Sequence, residues 1–358
     1  SVKLFEKALR KKFNSKYAYT CINATAGLHL AYLAVNLKKN DIIVMPAINF
    51  IAAYRLADLM GAKIYLADVD SNSGQITPKT IEDCIKKNNL KKIKIILTMY
   101  LGGYPFNNVE FFNLKKKYKC YLIEDACHAF GSAYKHNKKS YYVGSCKHSD
   151  LCVFSFHPVK PITTGEGGAI TTNNKIFARK ISLFRSHGII RNKKYWDYDI
   201  KELGFNYRLS DLNCSLGLSQ LSKLNNFNLK RKNIFEIYKK KFAKISNIVK
   251  IFEPANSSNS YHLILLSINF AKLTCTKNEI FYYLNKKNIY PQFHYKPIFS
   301  FTFYKKKEKD TFVGSLNYFN KTISLPVYFD LNVKNQNFVI KNIISFVNKN
   351  KKKIIYSK

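Results

Sequence analysis

The stretch Phe154–Asn173, FSFHPVKPITTGEGGAITTN, holds a lysine in unusual company. Lysine and arginine make up 60 of the 358 residues, so any single lysine is by default a solvated surface group. Lys160 departs from that default: no other lysine lies between Lys147 and Lys175, and its neighbours are apolar, Pro, Thr and Gly. An amine withdrawn from water is held toward its neutral form and becomes nucleophilic toward a carbonyl at neutral pH. Asp125 ends the apolar run YLIED, where open α/β sheets place ligand-binding groups. A carboxylate there can keep a pyridine nitrogen protonated and make the ring an electron sink, or it can cap a helix. Asn23-Ala24-Thr25-Ala26-Gly27 lies between a strand and a helix, and its small residues leave backbone amides open to a phosphate, or to a simple N-cap. Phe50, soon after Pro46, can stack on a flat ring or fill a core. A phosphate cradle, an aromatic, an acid and a sequestered lysine are together the set that pyridoxal phosphate requires.

Other chemistries fit less well. Gly165-Glu166-Gly167-Gly168 precedes a strand instead of opening a helix, so it is no nucleotide fingerprint. The serines and histidines show no nucleophile-elbow spacing, and His157 and His187 read as structural. The 8 cysteines are scattered without a Cys-x-x-Cys pair or a zinc-like histidine spacing, so no metal is expected and a reduced cytoplasmic protein is. The net charge of +38 raises nucleic acid as a partner. The excess, however, is lysine spread through every segment, with no cluster of arginine and aromatics on one element, so no nucleic acid is expected. A basic binding protein that keeps the fold stays as the alternative. The opening SVKLFEKALRKKF has no apolar signal core, and IIVMPAINFIAAY is broken by Pro46 and Asn49, so no membrane partner is expected.

The elements that must position these residues follow from apolar spacing. Phe5, Leu9 and Phe13 line one face of an opening helix. Strands are expected at YAYTCI, IIVM, KIYLA, KIKIILTMY, CYLIED, CVFSF and GAITT. Helices fall between them at Ala24–Val35, Phe50–Met60, from near Thr77, and at Val109–Tyr118. Ser210 caps a helix with Leu209, Leu212 and Leu216 on one side, and a lysine-rich helical stretch runs to about Ile245. YHLILLSINF reads as a strand, TKNEIFYYLNKKN and NFVIKNIISFV as helices, and the tail KNKKKIIYSK as a frayed end. The fold class is α/β: a mainly parallel central sheet covered by helices, over residues 1–225, and a smaller C-terminal α/β domain, 226–358.

Over nearly its whole length the chain resembles the DegT/StrS group of sugar aminotransferases, which have the type I pyridoxal-phosphate fold. The resemblance rests on FSFHPVKPITTGEGG, EDACHAFG, RSHG, ELGFNYRLSDL and SLPVY. Within the group these motifs look most like the branch that aminates C4 of UDP-linked 4-keto-6-deoxy-N-acetylhexosamines in pseudaminic acid synthesis. It implies that Lys160 carries the cofactor and Asp125 partners the ring nitrogen. Thr25, Ala26 and Ser155 would contact the phosphate, His128 would lie beside the ring, and Phe50 would stack on it. Asn206 would reach the neighbouring subunit's phosphate, which implies a homodimer with shared sites. His294 and Tyr295, in QFHYKP, would line the sugar pocket. Glutamate is the implied amino donor and the UDP-keto-sugar the acceptor; another nucleotide-linked keto-sugar is the alternative. Members of the group carry a further N-terminal segment, with a Gly-containing loop that approaches the substrate, before the helix that opens this sequence, so a trimmed or partial chain is expected, with consequences for sugar binding and not for the cofactor residues. The related dehydratase branch has His in place of the lysine, and Lys160 argues against it.

Overall fold

The structure, a computed structural model, describes residues 1–191, 196–254, 258–304 and 312–352. Helix α1 (Val2–Phe13) leads into β1 (Tyr17–Cys21), α2 (Ala24–Ala34), β2 (Ile42–Pro46), α3 (Ala52–Leu59) and β3 (Lys63–Ala67). Next come α4 (Pro78–Lys87), β4 (Ile95–Met99), α5 (Asn108–Tyr118) and β5 (Tyr121–Asp125). A hairpin of β6 (Ala133–His136) and β7 (Lys139–Tyr142) precedes β8 (Leu151–Ser155), β9 (Gly168–Thr172) and α6 (Lys175–Phe184). The large sheet has 7 strands in the order β1-β9-β8-β5-β4-β2-β3. The pairs from β3 through β8 are parallel, and β9 runs antiparallel to both β8 and β1.

Alternation along the strands explains why helices cover both faces. Ile43, Met45, Ile95, Leu97, Ile123, Leu151 and Val153 share a core with α2, α3 and α6. The residues between them point the other way: Val44, Ile96 and Leu122 pack with α4 and α5. Both faces are therefore apolar, and the strands read as continuous hydrophobic runs. Phe5, Leu9 and Phe13 are fully buried on that second face against Cys152, Phe154 and Ala169. Each such burial stabilises by ~1.5–3 kcal/mol. Thr77 closes a capping box with Thr80, and Pro78 follows at the first helical position, which sets the start of α4.

Beyond a short hairpin of β10 (Ile189–Arg191) and β11 (Tyr198–Ile200), α7 (Asp211–Phe242) is a single helix of 32 residues. It spans roughly 48 Å at 1.5 Å per residue. Cys214 and Leu224 pack in the core beneath α1, whereas Ile234, Phe235, Tyr238 and Phe242 pack in the C-terminal core. The helix runs unbroken through residue 225 and changes core between Leu224 and Ile234. That second core holds the antiparallel sheet of β12 (Val249–Ile251), β13 (Ile264–Ile268) and β14 (Thr322–Leu325) with α8 (Lys277–Asn285) and α10 (Val333–Lys349). Helix α9 (Val313–Lys321) leads into β14.

Two expectations change. Leu209, Leu212 and Leu216 do not share a buried side: Leu209 is buried, while Leu212 is 85% exposed. Ser210 caps the helix at Asn213, so Leu209 precedes the first turn and helical spacing does not apply to it. The strand expected over YHLILLSINF begins only at Ile264, because Tyr261 takes a left-handed φ of 49° that breaks extension. No described helix is long and apolar enough to cross a membrane. Residues 353–358 of the basic tail lie outside the described residues.

Candidate active site

The site lies at the C-terminal ends of β5 and β8. Successive residues of a strand point to opposite faces, so the adjacent acids Glu124 and Asp125 have different fates. Glu124 is sealed in a hydrogen-bonded cluster, accepting from Tyr100 at 2.5 Å and Ser149 at 3.0 Å. Asp125 is buried at the strand end, where Oδ1 accepts the Cys127 N–H at 3.2 Å. Burial raises its carboxyl above the usual carboxylate range, while Cys127, Lys160 and Asn49 pull it back down.

Lys160 arrives on the connection between β8 and β9. That loop is pinned at its base: Phe156 N–H donates to Gly167 O at 2.8 Å and Thr164 N–H to Phe156 O at 3.0 Å. Asn213 of α7 donates to Thr164 O at 2.6 Å. Lys160 N–H closes a turn on His157 O at 2.9 Å. Burial lowers the amine from the ordinary lysine value, opposed by Cys127 and Asp125. Among the described residues no hydrogen bond or ion pair occupies its Nζ, and the amine is charge-coupled to the buried carboxyl of Asp125.

The register of β9 builds the next part. Gly168 pairs with Ser155 on one side and Cys21 on the other. A Cβ on Gly168 would stand 2.8 Å from Asn23 C and 2.9 Å from Ala24 N, so glycine there lets the start of α2 settle beside Ser155. Asn23 caps α2 by accepting the Ala26 N–H at 2.8 Å. The Ala26 amide is thereby committed, and the amides of Ala24 and Thr25 have no acceptor among the described residues. Free first-turn amides, with Thr25 in that turn and Ser155 paired with Gly168 next to it, are the kind of arrangement that can receive an anion. Phe50 is 55% exposed, an aromatic face left uncovered, and its ring centroid lies 5.9 Å from that of Tyr295.

Three loops are knitted together on the other flank. Gly103, with a φ of +87°, approaches so closely that a Cβ would lie 1.9 Å from Ser260 Oγ and 2.5 Å from His128 O. Ser132 Oγ donates to Gly103 O at 2.8 Å, and Ser260 Oγ to His128 O at 2.6 Å. This brings His262, which sequence reasoning missed, to a centroid distance of 4.3 Å from His128. Nothing in the segment SNSYH marked it. Arg231 of α7 holds its backbone, donating to His262 O at 3.4 Å and Val327 O at 3.2 Å. His128 Nδ1 accepts the Gly102 N–H at 3.3 Å, and its Nε2 lies 2.9 Å from Tyr295 Oη. His294 Nδ1 lies 2.9 Å from Ser324 Oγ, and burial with nearby Lys160 pulls its ring down to about 4.

The structure thus gathers Asp125, His128, Lys160, His294 and Tyr295 in one cleft, with Phe50 at its edge and the cradle of Thr25 and Ser155 at the start of α2. Asn206 is separate in character. It is exposed, bridged to Ser186 through the backbone, and its side chain makes no hydrogen bond among the described residues. Near it in the sequence, Leu203 is 87% exposed, and Leu212 and Leu216 are exposed as well. The described residues hold no group of three acidic, histidine or cysteine side chains placed for a metal ion.

Known proteins share this architecture. The model of the DegT/DnrJ/EryC1/StrS aminotransferase family matches residues 1–344. A UDP-4-amino-4,6-dideoxy-N-acetyl-beta-L-altrosamine transaminase of Campylobacter jejuni subsp. jejuni serotype O:23/36 is 41% identical over 97% of this chain and 90% of its own. GDP-perosamine synthase of Escherichia coli O157:H7 is 28% identical over 96% of this chain and 90% of its own. Among solved structures, Helicobacter pylori PseC, an aminotransferase involved in the biosynthesis of pseudoaminic acid, superposes with a TM-score of 0.87 at 28% identity, covering 97% of this chain and 91% of that one.

Proposed function

The chain belongs to the DegT/DnrJ/EryC1/StrS aminotransferase family, and on that premise we infer that it moves an amino group from glutamate to C4 of a UDP-linked 4-keto-6-deoxy-N-acetylhexosamine. The observation that carries the chemistry is the pairing of a desolvated, uncommitted Lys160 with the buried Asp125. The identity to the Campylobacter transaminase supports the choice of sugar.

The residues fit pyridoxal 5'-phosphate. The free amides at the start of α2, with Thr25 and Ser155, would hold its phosphate. The uncovered Phe50 would take one ring face, and His128 lies beside the cleft. The cofactor, when bound, supplies an electron sink for the carbon losing its proton. Asp125 would hold a proton on the ring nitrogen. Lys160 Nζ is the amine that would carry the cofactor, and as the base in the site it would take the proton from the donor's Cα and return one at the acceptor's C4. The lowered basicity of Lys160 suits that shuttle, since an amine held charged could not accept the proton. His294 and Tyr295 border the same cleft and would meet the sugar.

The exposure of Asn206 and of Leu203, Leu212 and Leu216, near it in the sequence, supports a homodimer in which these residues are covered and Asn206 completes the partner's phosphate site. The test is incubation of the purified protein with glutamate and a panel of UDP- and dTDP-linked keto-sugars, with products read by mass. An aminated UDP-4-keto-6-deoxy-N-acetylhexosamine is expected. Amination of only a different member of the panel would transfer the assignment to that sugar, and amination of none would refute it.

A further inference from the structure

The imidazole of His128 has one tautomer open to it. Its Nδ1 accepts the Gly102 backbone N–H at 3.3 Å, so that nitrogen carries a lone pair and no proton. The ring is 1% exposed and stays neutral, since burial, then nearby Lys160, His262 and His294, push its basicity well down. A neutral ring with a bare Nδ1 carries its hydrogen on Nε2. The contact of 2.9 Å with Tyr295 Oη therefore runs from His128 to the tyrosine, which accepts. Tyr295 keeps its own hydroxyl hydrogen, since burial first, then Asp125 and Cys127, raises the phenol further from ionisation. That hydrogen has no acceptor among the described residues. The phenol is charge-coupled to Asp125 and Cys127, the groups that also couple to Lys160, and Phe50 flanks its ring at 5.9 Å. His262 packs on His128 at a centroid distance of 4.3 Å and is 6% exposed, and no hydrogen bond joins it to Tyr295 among the described residues.

We propose that Tyr295 is a hydrogen-bond donor aimed at an oxygen of the ligand held beside Lys160, and that His128 is the positioning residue that fixes its direction. The oxygen is either the cofactor's phenolic oxygen or the acceptor's carbonyl oxygen; both are anionic or become so during transfer. The inference rests on the cofactor reading above for the ligand, and on the two hydrogen bonds of His128 in a buried, neutral ring for the direction of the relay.

Two measurements test it. In cofactor-free protein labelled with 15N-histidine, NMR should show His128 neutral with its hydrogen on Nε2. A hydrogen on Nδ1, or a charged ring at pH 7, reverses the relay and overturns the proposal. In Tyr295→Phe loaded with pyridoxal phosphate, two arms separate the oxygens. If the cofactor's oxygen is the acceptor, the pH at which the visible absorbance changes should rise by about one unit, as expected when an anion loses a charge-assisted donor. If the sugar's oxygen is the acceptor, that pH should hold while kcat with the keto-sugar falls about 10- to 100-fold at unchanged KM for glutamate. If neither moves, the proposal is wrong. Should wild-type protein form no borohydride-stable adduct on Lys160, the cofactor reading fails, and the NMR result still decides the relay.

Discussion

Asp125→Asn separates a functional acid from a structural one. The replacement is nearly isosteric, and its amide oxygen can still accept the Cys127 N–H that Asp125 Oδ1 takes at 3.2 Å, so only the charge is removed. Removing a preorganised charge from a closed site costs about 2.7–4 kcal/mol of transition-state stabilisation, or roughly 10²–10³ in kcat. Stability should move the other way. The folded carboxyl is raised by burial, so between its ordinary and folded values the folded state binds more protons than the unfolded one. Wild-type stability therefore falls as pH rises through that window, and the asparagine variant escapes the loss. Thermal unfolding of cofactor-free protein should give the variant a Tm at pH 7 no lower than wild type, with any advantage shrinking as pH is lowered. Asp125 also raises the Lys160 amine, so the variant's Lys160 should react with an amine-directed reagent at lower pH than in wild type. Turnover near wild type, or a Tm lowered by several degrees at neutral pH, would make Asp125 a cap and refute the reasoning.

The covalent attachment should map to one residue: borohydride reduction of the cofactor-loaded chain, followed by peptide mapping, should leave the pyridoxyl group on Lys160, and an adduct solely on another lysine would refute that assignment. Gly168→Ala should loosen the cradle, because its Cβ would meet backbone at 2.8 and 2.9 Å that has no flexible end to give way. We expect a loss of ~1–3 kcal/mol in stability, as for other overpacked sites, and weaker cofactor affinity by equilibrium titration; unchanged values in both would remove the cradle. Mixed dimers of Lys160→Ala with Asn206→Trp, each inactive alone, should recover as much as about half the activity per heterodimer, since two-fold symmetry puts both lesions in one site. Heterodimers that form without activity would place Asn206 in its own chain's site.

Local interactions made much of this protein legible from residue order. Strands with both faces buried announce themselves as short apolar runs, and Thr77-Pro78 and Asn23 mark helix starts by caps that bond only a few residues away. Lys160 stood out because a lysine without charged neighbours is conspicuous in so basic a chain, and Asp125 because it ends a strand. The hairpin of β6 and β7 gave no such signal, since its turn uses Asn137 and Lys138 at positive φ where a glycine would have been conspicuous.

What remained was settled by packing between segments far apart in the chain. Leu212 and Leu216 are apolar at helical spacing, yet α7 turns Cys214, Gly217 and Leu224 inward, because α1 and the β8–β9 loop occupy that side. His262 entered the site only through the close approach of Gly103 to Ser260 and the grip of Arg231 on its carbonyl. The contact between His128 and Tyr295 spans 167 positions. Periodicity and capping report the few residues around a position. A hydrogen bond whose donor direction depends on the Gly102 amide, and whose acceptor arrives on a separate loop, exists only once the tertiary fold has brought all three together.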